Sequence, residues 1–140
     1  MAFTFGLTVR TATLRDDPDL IVRIMRGITK GIVYAKANPE ATVRMHWKIY
    51  PLAKPQGVSD ERALANDLAI LQSALKNHAW ADQDKFGYEK PEAVIAVRDV
   101  LKQFGELDVA LPPERYFDPS RVAQYNDFDH EALKRRPPPL

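Results

Sequence analysis

The chain has 140 residues, of which 45% are hydrophobic and 28% are charged, and twenty basic and nineteen acidic side chains leave a formal net charge of +1. These proportions are those of an ordinary globular protein of about one domain. The near balance of charge gives no global field that would favour nucleic acid or an anionic membrane as a partner. Because the chain has no cysteine, disulfides, thiolate zinc sites and cysteine nucleophiles are excluded.

The sequence contains no membrane span, since no apolar run approaches the roughly 18 residues that a span needs. The first ten residues, MAFTFGLTVR, are not typical of a secretory signal, because Arg10 follows the apolar residues instead of preceding them. As written, the chain is therefore expected to remain in the cytoplasm.

The same ten residues alternate between apolar and polar or small side chains. Phe3, Phe5, Leu7 and Val9 hold the apolar positions, a period of two that predicts a β-strand. A single strand needs a partner for its ladder hydrogen bonds, and the remaining sequence does not obviously supply one. Residues 1–12 are thus predicted to form one strand and a lead-in.

Helical patterns follow from about residue 16 and predict four main helices and a short final one. The four main helices have start signals in a capping side chain or a proline: Asp16 or Asp17 with Pro18, Asn38 with Pro39, Ser59, and Pro91. Pro51 is expected to end the second helix and Gly105 the fourth. A last turn of helix is expected after Asp127 or Asp129, which would cap it.

Each main helix carries an apolar face at spacings of three and four residues. The residues predicted to face inward are Ile21, Ile24, Met25, Ile28 and Ile32 in the first helix; Leu64, Leu68, Leu71 and Leu75 in the third; and Val94, Val97, Leu101 and Phe104 in the fourth. Gly27, Gly31 and Ala35 form a small-residue ridge that predicts close helix packing. The fold class is therefore mainly α, with about five helices and one N-terminal strand. We expect a single partial domain over residues 1–140, helical over 16–133, with a frayed tail over 134–140.

The second helix, within NPEATVRMHWKIYP, raises the one question of ligand binding. On a helical wheel Val43, His46, Trp47 and Tyr50 form one stripe. A helix that is apolar over more than half its circumference is normally buried between neighbours. The favoured interpretation makes Trp47 a core anchor and His46 a hydrogen-bonded interior histidine. The alternative is a ligand-binding role for His46 or Trp47.

No other pattern predicts chemistry. His46, His78 and His130 lack the spacing of a helical metal site, and residues 126–131, NDFDHE, lack the glycine and distal glutamate of a calcium loop. There is no Gly-rich phosphate loop, nucleophile elbow or basic–aromatic surface. The sequence predicts no catalytic residue, no metal, no cofactor and no nucleic-acid partner.

Two stretches carry a resemblance to a known family. The first is DPDLIVRIMRGITKGIVYAKANPEATVRMHWKIYP, a helix, an ANPE break and a second helix that ends in HWKIYP; the second is YNDFDHEALK near the C-terminus. Residues 16–133 resemble the C-terminal part of the nitrate/sulfonate/taurine-type substrate-binding proteins of ABC transporters. These belong to the type II periplasmic binding proteins, together with the thiamine-pyrimidine-synthesis proteins.

The resemblance implies a function for an intact parent. Such proteins act in the periplasm and have two α/β lobes. The lobes close around a small nutrient in the cleft between them, and the protein then delivers the nutrient to a membrane permease. The chain matches less than half of a typical member, and the N-terminal segment that supplies most ligand contacts has no counterpart here. The resemblance therefore implies a C-terminal fragment that binds no solute alone, and no binding residue is carried over.

Two alternatives remain open. One is a stand-alone helical interaction module; the other is a remnant of a thiamine-pyrimidine-synthesis-type enzyme, for which no candidate cofactor lysine is found in context. Self-association is also expected, because a lone strand with free edges favours pairing and helices meant to cover another lobe leave apolar faces exposed.

Overall fold

A computed structural model describes residues 7–77 and 85–137. In these residues the regular structure consists of helices: α1 (Thr11–Asp16), α2 (Pro18–Ala37), α3 (Pro39–Ile49), α4 (Asp60–Asn77), α5 (Pro91–Gln103), α6 (Val122–Tyr125) and α7 (His130–Lys134), with single 3₁₀ turns at Pro51–Ala53 and Pro113–Arg115. None of the described helices is long and apolar enough to cross a bilayer.

The chain divides into two compact units, each built from two separate stretches. Unit 1 comprises Met1–Arg23 and Trp80–Asp127, and unit 2 comprises Ile24–Ala79 and Phe128–Leu140. The division therefore falls inside α2, and unit 2 is completed by residues from the C-terminal end of the sequence.

The predicted N-terminal strand is wrong. The described part of the chain contains no strand; residues 7–10 have no regular structure, and α1 begins at Thr11. Phe3 and Phe5 lie outside the described residues, and Leu7 is 48% exposed. Alternation produces a strand only where a neighbour completes the hydrogen-bond ladder, and no such neighbour exists among the described residues. The mainly α part of the prediction is confirmed.

The helix starts follow the predicted caps at three positions. A backbone N–H three residues further on donates to the side chains of Asp17 at α2 (3.0 Å), Ser59 at α4 (3.3 Å) and Asp129 at α7 (2.8 Å). Such caps satisfy one of the unpaired N–H groups in a helix's first turn. Local side-chain chemistry thus sets the beginning of these helices.

Asn38 acts differently from the predicted cap of α3. Its side chain makes no capping bond to the first turn of the helix. Its Nδ2 instead donates to the carbonyl oxygen of Lys134 at 2.9 Å. Pro39 occupies the first turn of α3, where its fixed φ favours the helix and its missing N–H is not needed. Asn38 therefore ties the α2–α3 break to the end of α7 within unit 2.

The main core of unit 2 lies between α3 and α4. Val43 and Trp47 from α3 pack with Ala63 from α4, and all three are at least nine-tenths buried. Three partly buried leucines of α4 surround them: Leu64, Leu68 and Leu71. The predicted leucine stripe is thus confirmed for these three side chains.

The buried face of α2 in unit 2 differs from the predicted one. Thr29 and Val33 are almost fully buried, whereas Ile24 and Ile28 are 43% and 41% exposed. The Thr29 hydroxyl donates to the carbonyl oxygen of Met25 at 2.8 Å, so this polar group is buried without losing its hydrogen bond. The isoleucine spacing correctly indicated a helix. Thr29 can nevertheless occupy a core position, despite its polar side chain, because its hydroxyl is hydrogen-bonded within the helix.

The small-residue ridge of α2 does not produce the predicted close packing. A Cβ atom added at Gly27 or Gly31 would meet nothing within 4 Å. Ala35 is buried, but the two glycines face open space. Gly27 and Gly31 therefore admit side chains without collision.

In unit 1, the side chain of Asn126 holds the loop before α5. Its Oδ1 accepts from the Phe86 N–H at 3.0 Å, while its Nδ2 donates to the carbonyl oxygens of Phe86 at 3.0 Å and Val122 at 2.8 Å. The next glycine, Gly87, has φ +82° and lies against the Tyr125 ring, so closely that a Cβ there would collide with the phenol oxygen. Gly87 is required both by its backbone conformation and by this contact.

Helix α5 has one buried side and one exposed apolar side. Val94 is only 3% exposed and faces the interior of unit 1, as predicted. Leu101 and Phe104, which were also predicted to face inward, are 40% and 74% exposed. The prediction is wrong for these two residues because α5 is apolar in two directions, and periodicity does not say which direction is covered.

The end of α5 agrees with the prediction at Gly105. This glycine has φ +75°, its N–H donates to the Lys102 carbonyl at 3.1 Å, and the Glu106 N–H donates to the Leu101 carbonyl at 2.9 Å. This bond pair is the Schellman arrangement, which satisfies carbonyls of the last turn and favours glycine at the left-handed position.

Candidate functional site

The two residues that the sequence singled out for ligand binding point in different directions from α3. Trp47 is 9% exposed and lies in the α3–α4 core, so its prediction as a core anchor is confirmed. His46 is exposed, and its ring lies 5.2 Å from the Tyr50 ring, tilted by 50°. The prediction of an interior histidine is wrong. Neighbouring residues are about 100° apart on a helix, and because Trp47 takes the buried side, His46 falls outside it.

The Trp47 ring is engaged by polar groups from α4 and from the loop after α3. Its Nε1 donates to Asp67 Oδ2 at 2.7 Å. The ammonium of Lys54 lies 5.3 Å from the ring centroid, within the range of a cation–π contact. The same ammonium lies 2.8 Å from the Asp60 carboxylate, and this hydrogen bond and charge hold the pKa of Asp60 below its usual range. The ring and the nitrogen of Trp47 are thus used by the fold itself.

Asp67 and Lys54 are members of this cluster that sequence reasoning missed. Asp67 lies twenty residues from Trp47, so no local pattern connects them. A signal was nevertheless present, because Asp67 shares a helical face with Leu64 and Leu68. An acid on an apolar face needs a hydrogen-bond partner, and an indole N–H is a suitable one. Nothing comparable in the sequence indicates Lys54.

The C-terminal end of α3 presents large apolar side chains to solvent. Ile49, Tyr50 and Leu52 are 62%, 59% and 99% exposed. We call these three residues the α3-end surface. No acidic residue occurs in residues 41–59. A binding role for His46 would involve the α3-end surface, because the His46 ring contacts that of Tyr50.

A shallow pocket of about 330 Å³ opens in unit 2, lined by Lys36, Pro39, Gln72, Leu75 and Lys76. Both lysines are exposed along its edge, although partial burial lowers the pKa of Lys36. Small-molecule sites bury most of their ligand and present converging polar groups. This pocket instead offers an open depression between two exposed cations, so it does not form a solute site.

The remaining histidines do not assemble a metal site. His78 lies outside the described residues. The ring of His130 stacks on that of Phe128, with centroids 4.2 Å apart and planes 9° apart, and the Lys30 ammonium lies 5.4 Å from the Phe128 ring. Within residues 7–77 and 85–137 no group of histidines and carboxylates has metal-binding geometry. Asp129 in the same segment caps α7, as predicted.

Comparison of the chain with protein-family models, with curated proteins and with solved structures gave no match. The resemblance to ABC-transporter solute-binding proteins therefore rests on the two quoted stretches alone.

Proposed function

We propose that the chain is the C-terminal helical part of an ABC-transporter solute-binding component for a small nutrient, and that it supplies packing surface and not the binding pocket. The observation that carries this proposal concerns Trp47, one of the two candidate ligand-binding residues, which is buried and hydrogen-bonded to Asp67. The resemblance over residues 16–133 gives the nutrient class: nitrate, a sulfonate, taurine or a pyrimidine. In this proposal an intact parent acts in the periplasm and delivers solute to a permease.

The solvation of the anion decides whether the described residues can hold it. A sulfonate or nitrate ion loses strong hydration when it enters a protein, so its site must replace water with fixed hydrogen-bond donors. The pocket beside Lys36 and Lys76 is open and shallow, and its two lysines are exposed. An ion there would keep most of its water and gain little affinity. The proposal therefore assigns no catalytic residue and no solute-binding residue to the described part of the chain.

Titration calorimetry of the whole chain tests the proposal, with nitrate, taurine, an alkanesulfonate and an aminopyrimidine as separate titrants. The expected result is no binding in the micromolar range for any of them. The control variant Lys36→Ala should behave like the unmodified chain. Micromolar binding by the chain alone would contradict the proposal, and loss of that binding in Lys36→Ala would assign it to the pocket.

A second candidate function is a stand-alone helical interaction module. It is favoured by the α3-end surface, where Leu52 is 99% exposed next to Tyr50 and Ile49. Large exposed apolar side chains in a contiguous stretch are typical of protein-contact surfaces. The two proposals differ in the partner: a solute-binding α/β lobe added in trans should create solute binding only under the first.

A further inference from the structure

Unit 2 carries the positive charge of the chain and unit 1 the negative charge. Unit 2 contains eleven lysines and arginines and six aspartates and glutamates, a net charge of +5. Unit 1 contains nine lysines and arginines and thirteen aspartates and glutamates, a net charge of −4. A local excess of one sign attracts partners of the other sign even when the whole chain is nearly neutral.

The shallow pocket of unit 2 combines part of this positive charge with an apolar lining. Pro39 and Leu75 supply the apolar lining, and Lys36 and Lys76 are exposed at the edge. The two lysines are forty residues apart in the sequence. Helices α2, α3 and α4 together therefore place two cations beside a depression of about 330 Å³.

The end of α7 brings further cations to the same part of unit 2. Asn38, the neighbour of the pocket residue Pro39, donates to the carbonyl oxygen of Lys134 at 2.9 Å. Arg135 and Arg136 follow directly and are exposed, and their backbone lies within roughly 8 Å of the Lys134 backbone along the chain. We define the unit 2 basic surface by four residues: Lys36, Lys76, Arg135 and Arg136.

The carboxylates nearest to this surface in the sequence are engaged within the fold. Glu40 pairs with Arg44 at 2.8 Å, and Glu131 pairs with Lys134 at 2.6 Å. The side chain of Asp129 caps α7. These acids are therefore committed to partners outside the unit 2 basic surface, which keeps its positive character.

We propose that the unit 2 basic surface and its pocket bind an acidic segment of a partner protein, in which carboxylates flank an apolar side chain. The apolar side chain enters the depression against Pro39 and Leu75, and the carboxylates pair with the surrounding lysines and arginines. A free anion gains little here because it keeps most of its water. A protein segment combines several ion pairs with apolar burial, so both kinds of group in the pocket contribute.

The shape and composition of the surface favour a protein segment over other polyanions. A layer of lipid headgroups or a nucleic-acid backbone would pair with the cations but would leave the apolar depression unfilled. Single-stranded nucleic acid also needs aromatic side chains on which its bases stack, and no residue of the pocket lining or of the unit 2 basic surface is aromatic. A side chain from a partner protein fits the depression and the charge together.

Fluorescence anisotropy with a labelled synthetic peptide tests the proposal on the whole chain. The peptide has glutamates on both sides of central leucines. Two matched peptides replace the glutamates by glutamines or the leucines by serines. The expected result is binding of the glutamate–leucine peptide roughly tenfold tighter than binding of either matched peptide, and weakening of that binding as salt screens the ion pairs.

Charge reversals locate the binding surface. Lys76→Glu and Arg136→Glu should each weaken peptide binding by about fivefold, because each removes one attraction and adds one repulsion. Arg136 lies beyond the end of α7, so its substitution interrupts no helix. The matched control is Arg62→Glu, the same charge change at an exposed position of α4. Arg62 lies fourteen residues, about 21 Å, from Lys76 along that helix, beyond the screening length of about 8 Å, so a change below about twofold is expected.

Several results would overturn the proposal. Equal binding of the glutamine peptide would remove the role of charge, and equal binding of the serine peptide would remove the role of the depression. A loss in Arg62→Glu as large as that in Arg136→Glu would show a response to net charge alone. Vesicles of phosphatidylserine and phosphatidylcholine and a single-stranded oligonucleotide are tested in the same buffer, and tighter binding of either would contradict a protein segment as the partner. No solute is measured, so the result is independent of the proposed transport function.

Discussion

Truncation of Trp47 to alanine tests the α3–α4 core most directly. A large aromatic that buries about 200 Å² stabilises a protein by about 5 kcal/mol at about 25 cal/mol per Å². Trp47 is 9% exposed, so nearly all of this contribution applies. Some relaxation of Val43 and the leucines around the ring offsets part of the loss. We expect Trp47→Ala to lower the free energy of unfolding by about 3–5 kcal/mol.

A second substitution separates the ring from its hydrogen bond. Trp47→Phe keeps most of the buried apolar area but removes the N–H that donates to Asp67 at 2.7 Å. A hydrogen bond to a charged group contributes about 1.5–3 kcal/mol, and Asp67 is only partly buried, so the lower end is expected. A double-mutant cycle with Asp67→Ala should show a coupling energy of about 1.5 kcal/mol between the two side chains.

The measurement is urea unfolding followed by far-ultraviolet circular dichroism, because the substitution removes one of the two tryptophans and changes the fluorescence. Ile49→Ala, at a 62% exposed position of the same helix, is the matched control and should cost less than about 0.5 kcal/mol. A loss below about 1 kcal/mol for Trp47→Ala, a size typical of surface positions, would refute the assignment of Trp47 to the core. It would also reopen the ligand-binding interpretation of this residue.

Two more predictions concern unit 1. Gly87→Ala should lower the free energy of unfolding by roughly 3 kcal/mol, because it combines backbone strain at φ +82° with collision against Tyr125. The control Gly57→Ala, at φ +75° with nothing within 4 Å, should cost only about 1 kcal/mol. Equal losses for the two variants in urea unfolding would contradict the contact between Gly87 and Tyr125. Burial raises the pKa of Tyr125 from 10.0 to about 12, so the folded chain keeps a proton that the unfolded chain loses. The contribution of Tyr125 to the free energy of unfolding is complete below about pH 10 and falls by up to roughly 3 kcal/mol as pH rises to about 12. The Tyr125→Phe variant should lack this extra loss. If the unmodified chain and the variant lose stability identically over this pH range, the phenol is not desolvated.

Local chemistry made part of the fold predictable. Asp17, Ser59 and Asp129 cap helices as their side chains and positions indicated, and Gly105 ends α5 with the expected left-handed conformation. These features depend on residues at most a few positions apart. The burial of Trp47 was predictable as well, because α3 is apolar over most of its circumference.

The choice among apolar faces was not predictable, because it depends on distant parts of the chain. Leu101 and Phe104 were assigned to the core since they share a period with Val94, yet they are exposed. Ile24 and Ile28 share the apolar period of α2 and were predicted to face inward on that ground, yet they too are exposed. His46 was predicted to be interior because the helical wheel shows a broad apolar face on α3. The wheel does not show how far burial extends across that face.

Pairings across long separations were equally invisible in the sequence. The hydrogen bonds of Asn126 reach Phe86, forty residues away, and those of Trp47 reach Asp67, twenty residues away. The solute-binding function remains a proposal for a related reason. Two stretches of sequence carry it, and the residues that would hold a solute are not among those the resemblance identifies here.

The division of unit 2 into two stretches has a consequence for synthesis on the ribosome. Ile24–Ala79 emerges first, but Phe128–Leu140 belongs to the same unit, and Lys134 accepts the Asn38 hydrogen bond that anchors the α2–α3 break. At about 5–20 residues per second, the helices of the first stretch wait several seconds for their last partner. During that interval Asn38 lacks the Lys134 carbonyl and Lys30 lacks the Phe128 ring, so premature release of the nascent chain should produce a helical species without these contacts.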